Sequence, residues 1–524
     1  MNMKKLKFVF LTVIILVAAV VRFYKLDSIP PSLNWDEVAA GYNAYTIANW
    51  GADEYGNRFP IVFKSFGDDK HPVHIYLTAP IVKIFDLSDY STRSGSALIG
   101  VLSVLAIYFL SKALIKSELA GLFAALFLAV SPYAIHFSRG LWETNFALAF
   151  FIGGLAAFFW GIKKSNWLVP LSFLFFGLSF FSYHSAKVVV PPVVILLTLL
   201  HFKQIVKNKS TLVFVFLISL FFVGLTLKDP RILGFARINQ TKFSVEDTRK
   251  YGGELGTVVH NYKKYFTYDY LFLVGDQGPR ASVKVIGEFY KIDLILSLAG
   301  AAYLISKRKW EALAVIFSWL ALSPIPGSVS TMDPSAIRGI FMVGPILILS
   351  SIGAAGLILL TKKRWARVII ALIIIIFLGK EASNYVNYYF TRYSEKEAIE
   401  WQYGMKDAAL YASRNPQYSM VYVDKIRQQP YIFFLYYLKV PLPSLLKTVK
   451  YDKTEASSFN TVSSFGKYNF GNWNPIDSYP SSDILYVVTP SYYTGLRYFT
   501  KFNIKKLVKY PNGTDAFYII SGNE

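Results

Sequence analysis

Residues 8–37 read FVFLTVIILVAAVVRFYKLDSIPPSLNWDE. The run Phe8 to Val21 is apolar but for Thr12, and it follows Lys4, Lys5 and Lys7. That is the charge order of a signal peptide. No small-residue cleavage site follows, however, because Arg22-Phe23-Tyr24-Lys25 comes next, so the run is expected to stay as a first membrane span. Ile29-Pro30-Pro31-Ser32 then stops the helix and turns the chain along the outer surface. The stretch closes on Trp35-Asp36-Glu37, two acids about a dozen residues past the span.

The rest of the chain repeats the first half of that pattern. Its 524 residues are 54% hydrophobic and 17% charged, with a mean hydropathy of +0.37, more apolar than one soluble core requires. Apolar segments recur at about 8–24, 95–111, 119–132, 143–162, 167–182, 187–201, 211–227, 292–305, 310–325, 337–360 and 366–380. Most approach the length that a hydrocarbon core demands. The expected fold class is a polytopic α-helical membrane protein of about eleven transmembrane helices. Lys112/Lys116, Lys163/Lys164, Lys203/Lys207/Lys209, Lys307/Arg308/Lys309 and Lys362/Lys363/Arg364/Arg367 fall between alternate pairs of segments. The positive-inside rule then sets the N-terminus in and the C-terminus out. The acids, which that rule does not use, agree: in this topology only Glu118 and Glu311 of the 33 carboxylates lie inside.

The formal net charge of +22 sits in short clusters between apolar runs. This is the footprint of membrane topology and anionic headgroups, so membrane lipids rather than nucleic acid are the expected contacts. The absence of cysteine excludes disulfides, thiol catalysis and thiolate metal sites. Two domains are expected: a transmembrane catalytic module at 1–380, with outer loops at about 25–94 and 228–291, and a small extracytoplasmic α/β domain at 381–524. In the first loop, Val38 to Trp50 and Pro72 to Phe85 have the spacing of interfacial helices. In the tail, Glu395 to Arg414 reads as an amphipathic helix, and Met420 to Val423, Ile484 to Val488 and Phe517 to Ile520 as strands.

On the outer face, Asp36 and Glu37 suit either of two roles: a base that takes a proton from a hydroxyl, or acids capping the helix that begins near Val38. Gly67-Asp68-Asp69-Lys70-His71-Pro72 gathers charge before an apolar helix. A solvated turn is the plain reading, whereas a lysine there is also well placed for a lipid phosphate. His71 and His74, without a third ligand, make a weak metal signal. Asp53-Glu54 reads as a turn. Arg93, Arg139, Arg280 and Arg338 each stand at an outer membrane boundary, singly as snorkelling anchors, together as an anion site. Asp276 is a polar residue in an apolar setting. There is no Walker loop, zinc helix, nucleophile elbow or kinase signature. With no nucleotide site, an activated substrate on that face has to arrive on a lipid.

The Asp36-Glu37 loop, Lys70-His71-Pro72 opening a surface helix, and Thr92-Arg93-Ser94-Gly95-Ser96-Ala97-Leu98 together resemble the GT-C superfamily of polyprenyl-phosphate-dependent glycosyltransferases. The chain is similar to the branch of protein O-mannosyltransferases and the lipid A aminoarabinose transferase, and to bacterial family 39 members. Asp53-Glu54-Tyr55-Gly56, Gly67-Asp68-Asp69-Lys70, Gly275-Asp276 and Pro324 to Arg338 carry the narrower likeness. The resemblance implies a GT-C-like module with Asp36 as base, Glu37 as its neighbour and Lys70 near the carrier phosphate, although the chain has Lys70-His71-Pro72 in place of the usual Lys-Pro-Pro. Asp68, Asp69, His71, Arg93, Arg139, Asp276, Arg280 and Arg338 complete the expected substrate contacts. The donor it implies is a polyprenyl-phosphate sugar, and the acceptor a hydroxyl on a protein, lipid or cell-wall glycan. A single displacement needs no organic cofactor, and no metal site is expected, although Asp36, Glu37, Asp68 and Asp69 include the carboxylates that a divalent ion would use. Two rival readings are a lipid or glycan transporter and a non-catalytic anchor for the tail. Against the first stands the lack of charge in the central parts of the eleven segments.

Overall fold

The computed structural model describes residues 3–66, 68–234, 243–424, 429–452, 462–471 and 480–523. Gly67, quoted above in the charged stretch, lies outside the described residues. By packing, the chain forms two compact units: Met1–Tyr24 with Ser96–Tyr389, and Lys25–Gly95 with Phe390–Glu524.

The named elements of the first unit, among its described residues, are all helices. Across the described residues of the chain, six helices are long and apolar enough to cross a membrane: Lys5–Phe23, Asp89–Ile115, Glu143–Lys164, Lys209–Lys228, Trp310–Ser328 and Ile340–Leu360. The pair Glu118–Val130 and Pro132–Ser138, bent by 58°, makes a seventh if it counts as one span. Leu168–Phe180 and His184–Leu200 are apolar but shorter, about 20 and 26 Å at the usual helical rise. The chain is therefore a multi-pass membrane protein, with fewer full-length apolar helices than the eleven segments expected. Lys291–Ser306 and Val343–Leu360 pack backbone to backbone. A Cβ on Gly300 would lie 2.0 Å from Leu349 O, and one on Gly353 1.9 Å from Leu296 O. Only glycine permits that approach, a small-residue seam of the kind that holds membrane helices together.

The second unit contains the first loop and the tail. Its first part runs through α1 (Trp35–Trp50), a hairpin of β1 (Phe63–Ser65) and β2 (Asp68–Lys70), and α2 (Pro72–Phe85). The expected bounds of the second helix are met at both ends, whereas the first begins three residues before Val38. The tail adds a mixed sheet of β3 (Met420–Asp424), β4 (Lys450–Tyr451), β5 (Val462–Phe465), β6 (Tyr468–Gly471), β7 (Ile484–Val488), β8 (Phe502–Lys509) and β9 (Asp515–Gly522), in the order β4-β5-β6-β3-β7-β9-β8. β3 lies parallel to both β6 and β7, and the other neighbours are antiparallel. The single helix expected over Glu395–Arg414 is two, Tyr393–Glu397 and Met405–Arg414, parted by Gln402 at φ 49° and Gly404 at φ 97°.

The first loop belongs with the tail rather than with a module ending near 380. Tyr42 Oη donates to Val440 O at 2.8 Å, Thr92 Oγ1 meets Tyr436 Oη at 2.6 Å, and Lys406 Nζ pairs with Asp89 at 2.8 Å. α1 packs on the helix Pro430–Tyr437. These partners are some 300 or more positions apart in sequence, beyond the reach of any local pattern.

Candidate active site

The geometry around Asp36 begins with the cap of its helix. Asn34, in extended backbone, accepts from the amides of Asp36 at 2.9 Å and Glu37 at 3.2 Å. Glu37 Oε2 in return accepts from Asn34 N at 3.0 Å, closing a capping box. The cap is thus Asn34, with Glu37 as its reciprocal partner. Asp36 is left over, and its Oδ1 takes a hydrogen bond from Lys70 Nζ at 2.8 Å. These side chains are 29% and 19% exposed, so the ion pair is partly open to the surroundings. The β1–β2 hairpin sets Lys70 opposite Phe63, Asp69 opposite Lys64 and the Asp68 backbone opposite Ser65. His71 stands at the N-cap position of α2 without a side-chain capping bond and, like His74, is buried.

Glu37 and Arg93 are fully buried and bound to each other: Arg93 Nε to Oε1 at 2.8 Å, Nη2 to Oε2 at 3.0 Å. Arg93 also donates to the carbonyls of Leu26, Pro30 and Ser32, at 3.1, 2.9 and 2.5 Å. Its five N–H donors are therefore committed, and the expected phosphate contact is corrected to an internal brace that folds 26–37 onto the helix beginning at Asp89. A lone basic residue at a membrane boundary looks the same in sequence whether it points outward or inward.

In the other unit, Arg139 is also buried and spends its guanidinium on the backbone. It donates to Val21, Arg22 and Tyr24 carbonyls at 2.7, 3.1 and 2.8 Å, capping the C-terminal end of the first helix, where a cation suits the dipole. This too corrects an expected substrate contact. Asp276 is buried with both oxygens on backbone amides, Gly278 N and Ala336 N, each at 2.6 Å. Burial raises its pKa, against those two amides. Its own amide donates to Glu288 Oε1 at 2.8 Å, whose carboxyl burial holds well above the usual range. The pair ties the 275–288 loop to residue 336, a structural use. Arg280, at φ 62°, offers its carbonyl to His136 Nε2 at 2.8 Å, and Arg338 donates to Ser330 Oγ at 2.6 Å. Among the described residues no three His, Cys, Asp or Glu side chains gather into a metal-ligand set.

A family model described as dolichyl-phosphate-mannose-protein mannosyltransferase matches residues 69–226. That stretch takes in Lys70, Arg93 and Arg139 and begins after Asp36. No curated protein matches. ArnT from Cupriavidus metallidurans is similar in its apo state, with 14% identity and a TM-score of 0.56, covering 98% of this chain and 99% of that one. Its structure bound to undecaprenyl phosphate gives 13%, 0.58, 98% and 99%. The Archaeoglobus fulgidus oligosaccharyltransferase AglB, solved with an inhibitory peptide and a dolichol-phosphate, gives 12% and 0.53 over 84% of this chain and 64% of that one.

The chain has the GT-C fold.

The resemblance drawn from the first loop is borne out to that extent. Within this GT-C fold, sequence reading missed several residues. Asn34 was legible, since Asn-x-x-Glu before a helix is a capping pattern. Arg22, which donates to Leu128 O at 3.0 Å and Ala129 O at 2.9 Å, gave no signal beyond a cation at a span end. Gln402, which accepts from Trp35 N at 3.2 Å, gave none. Glu54, read as a turn, is 2% exposed; burial and then the charge of Asp53 push its carboxyl up to about 8.

Proposed function

We propose that the protein moves a sugar from a polyprenyl-phosphate carrier to a hydroxyl acceptor on the extracytoplasmic face of the membrane. The N-terminus lies inside, the C-terminus outside, and the eleven apolar segments supply the membrane passes. The observation that carries this reading is the division of labour at positions 36 and 37. Glu37 is sealed away on Arg93, while Asp36, one residue earlier, is partly exposed and holds Lys70 at 2.8 Å.

Asp36 then acts as the base. The acceptor oxygen attacks the anomeric carbon, its proton passes to an Asp36 carboxylate oxygen, and the carbon–oxygen bond to the carrier breaks. The carrier leaves as a polyprenyl phosphate anion and the anomeric centre inverts. Lys70, an ammonium with three donors on a flexible stem, keeps one on Asp36 and turns another to the departing phosphate, whose charge it offsets. No organic cofactor enters the reaction as written.

The test uses purified full-length protein in detergent with radiolabelled polyprenyl-phosphate mannose, glucose and aminoarabinose, and a membrane extract as the source of acceptor hydroxyls. Lys70→Ala is expected to raise the donor KM about tenfold or more, on the scale of a lost charge-assisted contact. An unchanged donor KM removes Lys70 from the site, and no turnover of any lipid-linked sugar by the wild type overturns the transferase reading.

A further inference from the structure

We propose that the tail takes part in sugar transfer through Gln402, a positioning residue that sets the first turn of the helix bearing Asp36. This rests on the reading of Asp36 as the base. A helix leaves its first amides without intrahelical partners. In α1 the amides of Asp36 and Glu37 go to Asn34 Oδ1. The remaining first-turn amide, Trp35 N, goes to Gln402 Oε1 at 3.2 Å, a residue 367 positions away. The side chain of Gln402 is held from its other end, where Nε2 donates to Glu400 O at 3.0 Å.

The surrounding residues fix Gln402 as a delivered group. It is 3% exposed and adopts φ 49°, which residues with side chains avoid, in the break between Tyr393–Glu397 and Met405–Arg414. A continuous amphipathic helix over this stretch would carry the residue elsewhere. Beside it, the fully buried Trp401 ring lies 5.5 Å from the guanidinium carbon of Arg93 and its Nε1 donates to Tyr393 Oη at 3.0 Å. Successive residues of the break therefore meet the two elements that frame the candidate base: Gln402 the start of α1, Trp401 the brace on Glu37. Geometry of this kind sets how well a base aligns with its proton rather than how tightly a lipid binds.

The experiment compares Gln402→Met, of similar volume but without the acceptor, with Gln402→Glu, which keeps an oxygen at that reach and suits a helix N-terminus. Both are read on full-length protein with whichever radiolabelled polyprenyl-phosphate sugar the wild type consumes, beside Asp36→Asn and a thermal melt. Expected are a kcat about tenfold lower for Gln402→Met with donor KM within about twofold of wild type, and recovery of most of that loss by Gln402→Glu. An unchanged kcat in folded Gln402→Met overturns the proposal, as does a Gln402→Glu protein that melts like wild type but is no faster than Gln402→Met. If Asp36→Asn is inactive while both Gln402 variants are normal, this proposal alone fails. Full activity in Asp36→Asn removes the base reading and this one with it.

Discussion

Two adjacent acids in this chain meet opposite fates because a helix start treats its second and third positions differently. The third residue can reach back to the cap, so Glu37 closes the box and descends onto Arg93, while Asp36 turns outward to Lys70. Removing one member of a buried ion pair typically costs about 3–5 kcal/mol. Arg93→Ala is therefore expected to lower the melting temperature strongly, and Arg93→Lys to restore little, since an ammonium cannot span both Glu37 oxygens and three carbonyls; a melt within experimental error of wild type would count against the brace. Glu54 makes a second residue-level prediction. Its carboxyl, ordinarily near 4.5, is held up to about 8 by burial and Asp53, so the folded state keeps a proton that the unfolded chain has lost. Stability from this group is complete below about 4.5 and drains as pH climbs to about 8. Thermal melts between those values are expected to fall with pH in the wild type and to be flatter in Glu54→Gln.

At the scale of elements, local rules act well where the partners are neighbours. α2 was legible to the residue, because Pro72 at its start and an apolar period through Phe85 are local signals, and β7 likewise, as a short β-branched run. The helix over 395–414 was misread for the converse reason: its period is amphipathic, yet the contacts of Trp401 and Gln402 with the first loop impose a break that no propensity records. The cap is testable by Asn34→Ala, which is expected to destabilise by about 1 kcal/mol. The packing of α1 on Pro430–Tyr437 is testable at Gly41, where a Cβ would lie 2.7 Å from the Tyr436 ring and 3.0 Å from Thr92. Tyr436 is buried and tied by its hydroxyl to Thr92, so it has little room to retreat. Gly41→Ala is expected to cost about 1–3 kcal/mol, read as a lower denaturation midpoint; a neutral result would mean that the helices are not so closely apposed.

At the scale of the molecule, the membrane class was plain from apolar runs and their flanking lysines, since the bilayer imposes length and charge bias directly on sequence. The grouping of 25–95 with the tail was not, because it depends on partners such as Tyr42 with Val440 and Asp89 with Lys406. The candidate site was legible in part for the same reason: Asp36 and Lys70 lie in one loop of recognisable pattern, whereas the inward use of Arg93 and Arg139 depends on folded carbonyls. A chain ending at Tyr389 is thus expected to insert but to leave residues 25–95 open to limited proteolysis, where the full chain is resistant. The central claim is met most directly by loading wild type and Asp36→Asn with the same polyprenyl-phosphate sugar, adding the same membrane extract as a source of acceptor hydroxyls, and following release of the free carrier. The account predicts equal donor binding and melting for the two proteins, with release in Asp36→Asn at least about a hundredfold slower, within the range contributed by a general base. Release at the wild-type rate from folded Asp36→Asn would contradict it.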